Sequence, residues 1–147
     1  MSTTFNIAKG AAAQLVRDNP NSLVLMLLKA NEADDALNDY TDVQSLLAAA
    51  GNTEADFTGY ARKTGITETI TIDDTANSVV IKMPKQSWAA QTRTTQNTLT
   101  KIVIAVQSAT AGDAGLIPLV AQDYDATTDN SNSVDIDYSV NGFYKAS

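Results

Sequence analysis

Residues 99–106, Leu-Thr-Lys-Ile-Val-Ile-Ala-Val, decide the fold class of this chain. Successive side chains of a strand point to opposite faces, and the alternation here puts apolar side chains on both faces. They are Leu99, Val103 and Ala105 on one face, and Ile102, Ile104 and Val106 on the other. A strand that is apolar on both faces belongs in the interior of a sheet. We therefore predict a central strand over 99–106, with structure covering both of its sides.

Further strands are predicted before this segment. Residues 23–29 form a continuous apolar run of strand length, expected to be buried on both faces. Residues 66–73 alternate Ile with Thr, a turn follows at 73–78, and residues 79–83 resume the alternation, which is the pattern of a hairpin. Pro84 ends the second hairpin strand or confines it to a sheet edge.

Two strands are predicted after it. Residues 116–124 start a strand in which Pro118, lacking an N–H, restricts pairing. A polar loop over 125–133 leads to a strand over 134–140, with one face toward the core and the other toward water. Its predicted inward side chains are Val134, Ile136, Tyr138 and Val140.

One helix is predicted over 39–51. Thr41 is the expected N-cap, with Gln44 three residues later reaching back to it, and Gly51 is expected at the left-handed C-terminal position. Residues 31–38 are interpreted as a loop. Helical spacing of apolar residues before Pro20 indicates either a short helix or a docked extended arm.

Short strands separated by turns, with one helix among them, predict a mainly β fold. We expect a single domain over residues 1–147, a β-sandwich or jelly-roll-like fold with one α-helix at about 41–50. Residues 1–21 are expected to dock on it as the helix or arm described above.

The chain has no histidine and no cysteine in its 147 residues. Ser-His and Cys-His nucleophile pairs, thiolate redox chemistry and most zinc sites are thereby excluded. We predict a protein that is not an enzyme and that has no catalytic residues, cofactor or metal. A net charge of −7 argues against nucleic acid as a partner, because phosphates require clustered Lys and Arg. The longest apolar run, 23–28, is too short to cross a membrane, so no membrane partner is expected.

Carboxylates offer two alternatives to this interpretation. Five aspartates between 123 and 137 suggest calcium, but counting from Asp123 puts Thr128 where an EF-hand loop has glycine and Val134 where it has glutamate. An irregular Ca²⁺ site in 123–137 stays open beside a solvated loop. The neighbouring pairs at 34–35 and 73–74 suggest glycoside hydrolysis or, more simply, turns stabilised by Asp side chains.

Two stretches together resemble structural proteins of tailed bacteriophages. The first is DVQSLLAAAGNTEADFTGYARKT at 42–64. The second is an ordered series in which the hairpin at 70–83 is followed by SWAA at 87–90, NTL at 97–99, KIVI at 101–104 and IPL at 117–119. The likeness covers roughly residues 22–145.

This resemblance implies a virion component, most often a small β-rich decoration or cement protein on the capsid exterior. Such a protein is made in the cytoplasm of the host bacterium. It binds the major capsid protein and itself, as a trimer or dimer. The alternative within the same resemblance is a head-fibre or tail-fibre module that binds carbohydrate for host adsorption.

Contact residues are expected among large aromatic and basic side chains, which are enriched at interfaces. Trp88, the only tryptophan, has three interpretations: a core residue, an interface anchor or a sugar-stacking platform. The only local basic cluster of the acidic chain lies at 60–63. The predicted interface candidates are Tyr60, Arg62, Lys63, Trp88, Arg93, Phe143 and Tyr144.

Overall fold

The computed structural model of the chain describes residues 2–5, 11–76 and 78–146. Residues 6–10 of the predicted N-terminal segment and residue 77 of the predicted hairpin turn lie outside the described residues. The strands are β1 (Ser2–Thr4), β2 (Leu23–Ala30), β3 (Thr53–Glu54), β4 (Lys63–Ile66), β5 (Thr69–Asp73), β6 (Ser78–Lys82), β7 (Gln86–Trp88), β8 (Thr98–Gln107), β9 (Leu116–Thr127), β10 (Val134–Ile136) and β11 (Tyr144–Ala146). The helices are α1 (Ala12–Asp18), α2 (Asp34–Leu37) and α3 (Val43–Ala48), and a 3-10 turn covers Asp113–Gly115.

Strand β8 lies between β9 and β2 in the largest sheet, whose order is β1-β9-β8-β2-β3 with β4 also paired to β2. Every pairing in this sheet is antiparallel, and Ile104 lies opposite both Leu25 and Val120. The predicted central strand is therefore confirmed. Two smaller sheets, β10-β7 and β11-β6-β5, complete the set of strands.

Both faces of the large sheet are covered by apolar side chains. On one face, Leu25 and Ile104 pack in a cluster that includes side chains of α1 and of both small sheets, Trp88 and Ile81 among them. On the opposite face, Met26 packs in a second cluster with residues of α2 and α3. The chain is mainly β and sandwich-like, as predicted, with small sheets on one side of the large sheet and short helices on the other.

The β8–β9 pairing has two register shifts. Between Leu99 and Lys101, β9 contributes one residue more than β8. On the far side of this shift, Leu99 packs in the cluster of Ile104 and not in that of Val103. The prediction that Leu99 shares a face with Val103 and Ala105 is therefore wrong. A second shift, between Ile104 and Ala105, lies opposite Pro118. A proline cannot donate to the ladder, so the restriction predicted at Pro118 is confirmed.

The predicted helix is present as α3, but different residues stabilise its ends. The Asp42 carboxylate accepts a hydrogen bond from the Ser45 N–H at 2.7 Å, so Asp42 and not Thr41 is the N-cap. The C-cap residue Ala49 is extended, and the Asn52 side chain donates to the Leu46 carbonyl at 3.0 Å. Gly51 is not in the left-handed region, so the predicted glycine cap is wrong.

Other boundaries differ from the sequence-based expectations. Strand β1 and helix α1 both form before Pro20, so the N-terminal segment contains an extended arm as well as a helix. Helix α2 occupies part of the predicted loop at 31–38. Ile66 belongs to β4 and not to the hairpin strand β5.

The strand predicted at 134–140 is shorter than expected. It ends at Ile136, and Val140, expected to point inward, is 71% exposed in the turn beyond it. Strand β9 is longer than expected and runs to Thr127, into the predicted loop. Both differences arise from pairing, since β9 has β8 beside it to Thr127 whereas β10 has only the three residues of β7.

The buried sheet predicts a specific loss of stability. Leu25 is fully buried, so Leu25→Ala should lower the free energy of unfolding by about 2–5 kcal/mol through lost burial and the cavity left behind. Urea denaturation measures this loss. Ile72→Ala, at a 60% exposed strand position, is the control and should change it by less than about 0.5 kcal/mol. Equal effects of the two substitutions would contradict the assignment of the core.

Candidate interaction surface

The structure places the seven predicted contact residues in different environments. Trp88, Arg93 and Phe143 are buried, at 3%, 4% and 8% exposed. The other four are half-buried: Tyr60, Arg62, Lys63 and Tyr144. The residues at 60, 62, 63, 88 and 93 surround one aromatic cluster, and the two C-terminal aromatics lie elsewhere.

The aromatic cluster is part of the core. The rings of Tyr60 and Trp88 stack with centroids 5.9 Å apart, and Phe57 meets Trp88 edge-on at 6.4 Å. The Trp88 indole N–H donates to the Ala61 carbonyl at 2.8 Å, and the Lys63 ammonium lies 5.1 Å from the ring centroid. All the sides of the Trp88 ring are thus engaged within the protein, so this ring does not present a platform for a sugar.

Tyr60 and Arg62 tie the edge of the large sheet together. The Tyr60 hydroxyl donates to the Glu54 carboxylate at 2.8 Å and accepts from the Leu27 N–H at 3.1 Å, and burial raises the pKa of this hydroxyl. The Arg62 guanidinium donates to both oxygens of Glu54 at 2.7 Å and to Asp113 at 2.6 Å. Its hydrogen bonds to Asp113 lower the pKa of that carboxyl. The basic cluster predicted to meet a partner makes these contacts internally.

Arg93 organises a loop from the inside. Its guanidinium donates to the carbonyls of Ala89, Asp129 and Asn132, and lies 5.3 Å from the ring of Phe57. Backbone carbonyls without a strand partner need such donors when buried. Arg93 therefore anchors the polar loop that precedes β8.

Sequence reasoning gave no role to Lys101, which is 3% exposed in the middle of β8. Its ammonium contacts Asp34 of α2 at 2.6 Å and Asp123 of β9 at 2.5 Å. The pKa of Asp123 is lowered to about 2, with the hydrogen bond from Lys101 as the largest cause. A lysine inside an otherwise apolar strand was the available signal, since a buried cation requires carboxylate partners.

Structural partners hold the carboxylates of Asp123, Asp129, Asp135 and Asp137, with Ser139 as the partner of Asp137. Asp129 accepts hydrogen bonds from the N–H groups of Ser131 and Asn132, and Asp135 contacts Ser87 and Lys85. The hydrogen bond from the Asn132 side chain is the largest cause that lowers the pKa of Asp129. The hydrogen bond from Ser87 is the largest cause that lowers the pKa of Asp135. Within 2–5, 11–76 and 78–146, no group of three or more Asp or Glu side chains is placed to hold a metal ion.

A groove of about 480 Å³ lies on the outer side of the hairpin sheet. Threonines of β5 and of the segment before it line this groove, and Ser139 contributes from the turn that follows β10. The buried Met83 contributes apolar surface. The lining residues are Thr67, Thr69, Thr71, Lys82, Met83, Pro84 and Ser139.

Two exposed aliphatic side chains belong to the elements that line this groove. Ile72 lies on β5, beside Thr71, and is 60% exposed; Val140 follows Ser139 and is 71% exposed. Among the described residues these are the large hydrophobic side chains left exposed. We call the groove together with Ile72 and Val140 the threonine surface.

A cleft of about 270 Å³ lies on the other side of the same turn. Phe143 and Tyr144, both predicted contact residues, line it together with Lys145. The turn is held against β6 by close packing at Gly142, whose φ is +74°. A Cβ there would lie 2.5 Å from Val80 Cγ1 and 2.6 Å from the Ile81 carbonyl oxygen, so only glycine fits.

Comparisons with known proteins leave the phage resemblance as a hypothesis. No family model matches the chain, and neither a curated protein nor a solved structure matches it. In the described part of the chain, no helix has the length and apolar character needed to span a membrane.

Burial of Trp88 has a direct spectroscopic consequence. Its fluorescence maximum should lie at short wavelength, and iodide should quench it poorly in the folded protein because the ring is enclosed. Unfolding in urea should shift the emission to longer wavelength and restore quenching. Strong quenching of the native protein, or a spectral change on adding glycans, would contradict the core assignment of Trp88.

The Lys101–Asp123 contact predicts an acid-sensitive stability. Because the pKa of Asp123 is lowered from 3.8 to about 2, its contribution is present above pH ~4 and is lost as the pH falls toward ~2. Asp123→Asn should therefore flatten the fall in unfolding free energy across that window, measured by urea denaturation. Asp125→Asn, on the same strand and exposed, is the control and should keep the wild-type slope. An unchanged slope in Asp123→Asn would contradict the assignment.

Proposed function

We propose that this chain is a structural protein of a tailed-bacteriophage virion, a decoration or cement protein that binds the major capsid protein on the outside of the head. Self-association as a dimer or trimer belongs to the same proposal, as does synthesis in the host cytoplasm. The residue pattern over 22–145 supports the virion assignment. The threonine surface supports a role in binding, and it supplies the contact that the buried candidates Trp88 and Arg93 do not.

The observation that carries the proposal is the position of Ile72 and Val140. Large aliphatic side chains left in water cost free energy that a protein contact recovers. Val140 follows Ser139 of the groove lining, and Ile72 lies on the opposite face of the β5 strand whose threonines line the groove. Apolar side chains beside polar ones are the composition of a protein interface, which has an apolar core and a polar rim. Repetition over a symmetric shell allows modest affinity at each copy to give stable attachment.

The carboxylates support a role without turnover. A general acid at neutral pH needs a raised carboxyl pKa. Contacts within the fold instead lower the pKa of Asp56, Asp113 and Asp123, with Lys29, Arg62 and Lys101 as their respective main partners. These carboxylates are ionised and form ion pairs that link elements of the fold. The proposal is therefore for a protein that is not an enzyme.

A carbohydrate-binding module of a head or tail fibre is the second candidate. The threonine hydroxyls and Lys82 favour it, because hydroxyl and ammonium groups hydrogen-bond sugars. The residues that line the groove include no aromatic ring on which a sugar would stack. A glycan array with the purified chain tests this candidate, and binding abolished by Thr71→Val would favour it over the capsid role.

The capsid proposal predicts that the chain copurifies with phage heads through the threonine surface. Ile72→Lys should weaken the binding of the chain to phage heads at least about tenfold, since a charge would replace an apolar contact. The occupancy of the variant on purified heads should fall accordingly. Ala36→Lys, which adds the same charge at an exposed site on α2, is the matched control and should bind like wild type. Cryo-EM and mass spectrometry of the heads measure occupancy. Absence of the wild-type chain from purified particles would overturn the proposal.

A further inference from the structure

We propose that the outer edge of β5 accepts an extended segment of a partner protein, added antiparallel as a further strand and carrying basic residues at both ends of a β-branched centre. The inference deepens the proposed function and rests on it in taking the partner to be a protein. It names the kind of chain that the threonine surface binds.

The first observation is that β5 is an unusually open edge. Among the described strands it pairs with β6 alone, and that pairing runs through five residues without a register shift. The other edge strands of the described sheets have two to four residues. Natural edges are protected by charged side chains, Pro, bulges or short length. The β5 sequence Thr-Ile-Thr-Ile-Asp has no proline and no bulge, and its first four residues carry no charge.

The second observation is the alternation of side chains along this edge. Thr69 and Thr71 face the groove, while Ile70 is half-buried and Ile72 is 60% exposed on the opposite face. An added strand would place its own alternate residues beside these two rows. Hydroxyl side chains suit the groove row, which also contains Lys82, and aliphatic side chains would cover Ile72.

The third observation is charge. Glu68 precedes β5, and its carboxylate accepts a hydrogen bond from the Asn21 N–H at 3.0 Å. Asp73 is the last residue of β5 and Asp74 follows it, so carboxylates stand at both ends of the edge. An antiparallel pairing with β5 of a second copy, centred on Thr71, would set Glu68 of each copy against Asp74 of the other. Like charges directly opposite each other are destabilising, and each copy carries a net charge of −7. A second copy is thus disfavoured on this edge, and a segment with basic ends is complementary to it.

A seven-residue peptide spans the edge from Glu68 to Asp74. The probe is Lys-Thr-Val-Thr-Val-Thr-Lys, acetylated and amidated so that only its side chains are charged. Antiparallel addition places its lysines opposite Glu68 and Asp74, its valines opposite Ile70 and Ile72, and its central threonine opposite Thr71. The control peptide has Glu in place of both Lys.

Titration of the isotope-labelled full chain, followed by amide chemical shifts, tests the inference. The basic peptide should shift the amides of 69–73 and saturate. The acidic peptide should bind about tenfold more weakly, because two ion pairs become two like-charge contacts. Asp74→Lys should weaken the basic peptide by about fivefold and strengthen the acidic one.

Asp35→Lys makes the same charge change at an exposed site on α2 and is the matched control. It should leave both affinities at the wild-type value. Equal effects of the two substitutions, shifts centred outside β5, or no shifts at millimolar basic peptide would each overturn the inference. If the protein occupies phage heads but does not bind the peptide, only this inference is overturned. If it binds the peptide but is absent from heads, only the capsid proposal is overturned.

Discussion

The pairing of β2 with β8 is the constraint on which the rest of the structure depends. Six consecutive residues of β2, from Leu23 to Leu28, are buried, as are the six from Lys101 to Val106 in β8. Two adjacent strands that are apolar on both faces must be covered on both sides. The small sheets with α1 provide one cover and α2 with α3 the other, so even short elements become ordered by contact with this pair.

Charged side chains hold these covers in place. Lys101 joins α2 to the sheet through Asp34, and Arg62 joins β3 to the 3-10 turn through Glu54 and Asp113. Each cation satisfies two carboxylates at once, which is favourable where burial makes an unpaired charge costly. Several residues whose chemistry suits recognition therefore make their contacts within the fold and not with a partner. What remains for a partner is the threonine surface, which combines hydroxyl side chains, Lys82 and the open edge of β5.

Sequence patterns predicted the buried strands of this chain well and its exposed contact residues poorly. The double-sided apolar pattern identified the central strand, and the alternation at 66–83 identified the hairpin, because both signals are local. The contact candidates were chosen by residue type, and type does not distinguish an interface tryptophan from a core tryptophan. Trp88 is buried because the chain from Phe57 to Ala61 folds over it, and that arrangement depends on residues far apart in sequence.

The sequence by itself determined the mainly β class, the central strand, the presence of a helix within 39–51 and the exclusion of imidazole and thiol chemistry, because these follow from composition and from periodicity within a few residues. Only the tertiary structure decided the reversal of Leu99 at a register shift, the internal ion pairs of Arg62 and Lys101, and the exposure of Ile72 on β5. Each of these depends on which strand lies next to which. Pairing between distant segments is a property of the whole chain, and no local pattern encodes it.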